Sequence, residues 1–216
     1  MHRIMKIHKL FIECLAIDYS HSGEGVDFAL KIDRDSLYIY FQDSEGLEDW
    51  RVNINFPAKA YKREGRGEFY AHRGFLNSWE SVKEKLEKHI LDNKIGKITV
   101  VGYSHGAAIA ALCHEHVWYV RPDLRDTLEG YGFGAPRVIW GAVSEKIKSR
   151  WANFTVIRNI DDAVTHLPPA FLGYFHVGKM IEIGKKGKYG KIEAHLPQNI
   201  EKELVLYEQR NRENRA

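Results

Sequence analysis

Cysteine is scarce in this 216-residue chain: Cys14 and Cys113 are the only two, and their separation matches neither a metal-ligand spacing nor a disulfide framework. A disulfide-stapled mini-domain is excluded, and a reducing compartment is the simpler expectation. No run of about eighteen apolar residues exists, which excludes a membrane-spanning helix. The basic opening Met1-His-Arg-Ile-Met-Lys is like the start of a signal peptide. However, Glu13 and Asp18 interrupt the apolar run behind it, and no small-residue cleavage site follows. The expectation is a soluble, cytoplasmic protein without stable membrane insertion. Charge of one sign is also lacking: 32 Lys and Arg face 29 Asp and Glu, and a net charge of +3 is too weak a field to favour nucleic acid. Zinc, nucleotide and phosphate-loop motifs are missing, so no cofactor and no metal is expected.

What is present is a patterned chain long enough for one core and short for two, so a single domain over residues 1 to 216 is expected. Residues 26 to 32 and 36 to 41 are short β-branched and aromatic runs around Asp33-Arg34-Asp35, a hairpin that opens the sheet with antiparallel strands. Phe75, Leu76, Trp79, Val82, Leu86 and Ile90 recur at helical spacing. Ile98-Thr-Val-Val101 reads as a central strand and 104 to 119 as an alanine-rich helix. Tyr131 to Gly134 and Phe154 to Arg158 read as further strands, with a helix expected over Val138 to Trp151 between them. Tyr174 to Ile183 and Lys188 to Ile192 read as two strands around a hairpin tip at Gly184 to Lys188. A helix follows from about Pro197 to Tyr207, then a frayed polar tail over 208 to 216. Lys59, Lys62, Arg63 and Arg66 read as a solvated basic turn. Alternating strands and helices imply an α/β fold of three layers, α-β-α, with a mostly parallel central sheet.

One junction in this pattern carries chemistry. Gly102-Tyr103-Ser104-His105-Gly106 lies between the central strand and the alanine-rich helix. A serine hydroxyl is a weak nucleophile until a base takes its proton and its approach is unobstructed. Glycine at both flanking positions permits the sharp strand-to-helix turn that exposes such a serine, and the helix N-terminus offers N–H groups to an oxyanion. These are the features of an α/β-hydrolase nucleophile elbow, with Ser104 as the nucleophile.

Five segments, in order, resemble the class 3 lipase family, α/β-hydrolases that include fungal triacylglycerol lipases. They are Phe41-Gln-Asp-Ser44 with Asp49-Trp50, Ala71-His-Arg-Gly-Phe-Leu76, the elbow itself, Phe133-Gly-Ala-Pro-Arg-Val138, and Asn159 to Pro169 with Tyr174 to Gly178. The chain departs from the family in two places. Gln42-Asp43 replaces the usual Arg-Gly, and Tyr103 and His105 flank the serine where its lipases usually carry His and Leu. An aspartate beside Ser44 either hydrogen-bonds that loop or repels developing negative charge.

The chain order of α/β-hydrolases is serine, acid, histidine. The resemblance places the acid at Asp162, with Asp161 as its competitor; both follow a strand end, where ligand sites of open α/β sheets lie. His195, between the last strand and the C-terminal helix, is the expected base, with His176 the competitor and His166 too close to Asp162 in sequence. The resemblance further implies an oxyanion hole from the backbone N–H groups of Ser44 and His105, and a lid-like segment at about 45 to 56. There Leu47 and Trp50 are the main apolar residues among carboxylates. So small a surface predicts weak interfacial activation and a preference for short to medium acyl chains. The expected substrate is a small-molecule or lipid ester cleaved through an acyl-enzyme. A phospholipase or acyltransferase using the same triad, or a non-catalytic binding module, are the alternatives. Nothing in the pattern fixes an oligomeric state.

Overall fold

The computed structural model describes residues 2 to 43, 56 to 185, 187 and 190 to 213. Its centre is a seven-stranded sheet built from β1 (His21–Gly23), β2 (Val26–Asp33), β3 (Ser36–Asp43), β6 (Lys97–Tyr103), β7 (Glu129–Phe133), β9 (Phe154–Asn159) and β11 (Lys179–Ile183). They are joined in that order. The first two pairings are antiparallel and the remaining four parallel. The hairpin between β2 and β3 turns at Arg34, whose φ of 58° is left-handed.

Helices cover both faces. On one side lie α2 (Arg73–Ile90) and α3 (His105–Val120), which pack on each other; α3 also packs on β3, β6 and β7. Their buried side chains, including Trp79, Val82, Leu86 and the run Ala107 to Cys113, form the larger core. On the other side α1 (His2–Ala16) packs against α5 (Pro197–Glu213), and Ile7, Leu10, Phe11 and Cys14 meet Ile200 and Leu204 in a second core. The spacing of those α1 residues is that of a single buried helical stripe. The three-layer arrangement with its mostly parallel sheet is the one expected.

A second, four-stranded antiparallel sheet flanks the α2/α3 side, in the order β10 (Tyr174–Phe175), β8 (Ile139–Trp140), β5 (Arg66–His72), β4 (Ala58–Arg63). This sheet departs from what the sequence predicts. The basic stretch Lys59, Lys62, Arg63, Arg66 is not a solvated turn: it belongs to β4 and β5, and Glu64 and Gly65, at φ of 50° and 75°, make the tight connection that suits a two-residue hairpin. Arg63 turns inward to the fully buried Glu115 of α3 at 2.5 Å. Arg150 reaches the same carboxylate at 2.6 Å and Glu68 at 2.8 Å. Desolvation raises the Glu115 pKa, and the two guanidinium groups oppose that rise.

Val138 to Trp151 is not one helix. Ile139 and Trp140 pair with β5 and β10, Gly141 turns at φ 78°, and only Glu145–Lys148 (α4) is α-helical. Pairing into a sheet overrode the helical spacing. Lys188 to Ile192 is likewise no strand among the described residues. Among the described residues Lys191 makes an isolated bridge to Asp162, and no strand returns beyond Gly184 to pair with β11. The tail is helical to Glu213, and Glu208 and Arg212 line a groove with His8 and Ile12 of α1.

Candidate active site

Two parallel strands, β6 and β9, lead into Ser104 and Asp162, and a turn beyond β11 brings His195 to them. At the end of β6 the chain reverses into α3 through Ser104, whose φ of 56° and ψ of −124° lie where a non-glycine residue is strained. The strain is imposed by packing. A Cβ on Gly102 would sit 2.2 Å from the Gly106 carbonyl oxygen, and one on Gly106 would sit 2.2 Å from the Phe41 carbonyl oxygen of β3. Only glycine permits strand, helix and neighbouring strand to approach so closely. The Ser104 N–H is fixed to the Phe133 carbonyl at 2.9 Å.

Past the end of β9, Asp162 is fully buried and accepts from the Val164 N–H at 2.8 Å through Oδ1. Its Oδ2 lies 2.6 Å from His195 Nδ1, and His195 Nε2 lies 2.8 Å from Ser104 Oγ. A carboxylate accepts, so Nδ1 carries the proton and the Nε2 lone pair faces the serine hydroxyl. The structure thus brings together Ser104, Asp162 and His195. Asp161 instead faces a mixed-charge surface groove with Lys191 and Glu193. His176 Nε2 donates to the Thr165 carbonyl at 3.0 Å, and burial pulls its pKa down to about 4. It braces the loop that carries Asp162. His166 is exposed, and its carbonyl accepts from Arg137.

His105 opens α3 one residue beyond Ser104, and its Nδ1 lies 3.7 Å from Asp43 Oδ1, so the unusual aspartate faces an imidazole. Ser44, Leu47 and Trp50 lie outside the described residues. Several contributors escaped the sequence reading. Gly134, at φ 60°, leaves room for the His195 imidazole, since a Cβ there would meet His195 Cε1 at 2.8 Å. Asn159 donates to the Ala194 carbonyl at 3.0 Å and Tyr103 to the His195 carbonyl at 2.7 Å. Gly134, Asn159 and Tyr103 all lie in motifs visible in the sequence, but their contacts with the Ala194–His195 turn are long-range and carry no local signal. Among the described residues no group of His, Cys, Asp and Glu is arranged to hold a metal ion, and no helix is long and apolar enough to cross a membrane.

Known proteins share this arrangement of elements. The solved triacylglyceride lipase of Rhizomucor miehei superposes with a TM-score of 0.69 at 24% identity, covering 79% of this chain and 74% of that one. The common architecture is the α/β-hydrolase fold. In sequence, a lipase of Rhizomucor miehei is 30% identical over 149 residues, 67% of this chain and 40% of that protein. A secreted mono- and diacylglycerol lipase from Fusarium solani is 28% identical over 160 residues, 72% of this chain and 46% of that protein. The chain therefore spans under half the length of these curated relatives. The model of the family Lipase (class 3) matches residues 38–172, from β3 through the acid-bearing loop, and with the Rhizomucor identity this shows that the chain belongs to the class 3 lipase family.

Proposed function

We propose that this chain hydrolyses carboxylic esters of the lipid type through an acyl-enzyme on Ser104. One observation carries the reading: an unbroken hydrogen-bonded line, 2.6 Å and then 2.8 Å, from Asp162 through His195 to a serine held at a strand-to-helix elbow. In this mechanism His195 Nε2 takes the Ser104 proton as Oγ attacks the ester carbonyl. The imidazolium returns that proton to the departing alcohol. Water, activated by the same nitrogen, then releases the acid and frees the serine. Asp162 holds the tautomer and offsets the imidazolium charge. The tetrahedral oxyanion is taken by the N–H of His105, in the first turn of α3 where helical amides lack intrahelical acceptors, together with that of Ser44. Loss of one such donor costs about 3 kcal/mol in transition-state stabilisation.

A glyceride-like ester is the substrate class favoured by the kinship with the named lipases of Rhizomucor and Fusarium. Leu47 and Trp50 are the main apolar residues in the sequence of the segment at about 45 to 56, and so few of them support short to medium acyl chains and weak interfacial activation. Two free cysteines support a reducing compartment. Ser104 itself is 1% exposed. The deciding test is labelling by a fluorophosphonate, compared between wild type and Ser104→Ala. Labelling that vanishes with Ser104 is expected, and its absence in wild type overturns the proposal. A chain-length series of p-nitrophenyl esters then reads the acyl preference.

A further inference from the structure

We infer that Tyr103 is a positioning residue for the base, a clamp that holds the His195 imidazole on line with Ser104. This rests on Ser104 and His195 acting as nucleophile and base. His195 is not carried by the sheet. It sits in a single 3-10 turn, Glu193–His195, after a stretch whose only ladder contact among the described residues is the Lys191 bridge. Two side chains from strand ends hold that turn by consecutive carbonyls: Asn159 of β9 binds Ala194 and Tyr103 of β6 binds His195 itself.

Tyr103 does more than donate one hydrogen bond. Its ring lies nearly parallel to the imidazole, 20° between planes with centroids 5.2 Å apart. The phenol holds its backbone acceptor at 2.7 Å, and burial first, then the charge of Asp162, keeps its pKa above the ordinary tyrosine value, so it remains a donor. The ring cannot swing away. Phe11 of α1 meets it edge-on at 5.9 Å and packs on Phe133 at 4.7 Å, and Tyr103 is itself paired with Phe133 across β6 and β7. The face presented to His195 attracts a cation, so it favours the imidazolium formed as Ser104 loses its proton. One side chain thus fixes both the backbone and the ring plane of the base. A displacement of about an ångström at such a group lowers turnover strongly.

Two substitutions separate these contributions, assayed on the full chain with p-nitrophenyl butyrate and a fluorophosphonate. Tyr103→Phe keeps the ring and loses the hydrogen bond, and is expected to lower kcat about threefold to tenfold with KM changed less than about twofold. Tyr103→Leu loses both and is expected to lower kcat by about a further tenfold. Labelling of Ser104 slows in the same order. If Tyr103→Phe retains the wild-type kcat and labelling rate, whatever its melting temperature, Tyr103 only packs and the inference is overturned. That holds even if Tyr103→Leu fails to fold. Absence of Ser104-dependent labelling in wild type overturns the proposed reaction and this inference together, whereas normal labelling of Tyr103→Phe overturns the inference alone.

Discussion

Acid should destabilise this fold through a histidine that plays no part in the chemistry. His114 of α3 is fully buried, edge-on to Phe154, and neither ring nitrogen has a hydrogen-bond partner. Burial pulls its pKa from the ordinary 6.5 down to about 3. The folded value lies below the unfolded one, so stability is full above 6.5 and is lost progressively as pH falls from 6.5 towards 3. At about pH 5 the unfolded histidine is almost wholly protonated while the folded one stays neutral, a difference of about 2 kcal/mol. That figure is set by the unfolded value and hardly changes for any folded value below about 4. The perturbation is His114→Leu, which removes the titration and keeps the site apolar. Urea unfolding followed by far-UV circular dichroism at about pH 7.5 and about pH 5 gives the stability lost by each protein. Wild type should lose about 2 kcal/mol more than the variant. Equal losses, to within about 0.5 kcal/mol, refute the reasoning.

Three further outcomes are expected. Gly106→Ala drives a methyl into the Phe41 carbonyl, a backbone atom that cannot move aside, and should lower stability by about 3 kcal/mol or more, read as a fall in melting temperature; an unchanged melting temperature contradicts the elbow packing. Glu115→Leu leaves the side chains of Arg63 and Arg150 without their buried counter-ion and should cost about 3–5 kcal/mol. Arg63→Met with Arg150→Met on that background should recover part of the loss, and no recovery would mean the charges are not its origin. His176→Ala removes a brace to Thr165 but leaves Ser104 and His195 in line, so fluorophosphonate labelling persists, whereas His195→Ala abolishes it; loss of labelling in both would make His176 part of the machinery.

Elements whose apolar residues follow a single rule were legible. The β2/β3 hairpin, β6, β9 and α2 are patterned by burial alone, and the elbow glycines mark β6 and α3 together. The second sheet was not, for a physical reason. Arg63 and Arg66 read as solvated charges, yet Arg63 is neutralised by Glu115, a residue 52 positions away whose partner no local pattern reveals. Ile139 and Trp140 look helical until β5 and β10 offer them hydrogen bonds. For the site, Ser104 was legible from its turn, and Asp162 and His195 from the resemblance and their place after strands. Tyr103 read as a departure from a motif. Its meaning depends on a carbonyl 92 residues further along the chain.

Ser104 and His195 stand 91 residues apart in sequence, His195 and Asp162 33. Ser104 and Asp162 lie in different crossovers of a parallel sheet and His195 follows its last strand, and such non-local pairings close late because the intervening loops must be ordered first. A fragment that ends before His195 therefore cannot carry the assembled line from Asp162 to Ser104. Reactivity of Ser104 towards an active-site reagent becomes a clock for the final step of folding. In a refolding experiment it should appear only after the helical signal has largely recovered, and it would report native molecules rather than compact ones.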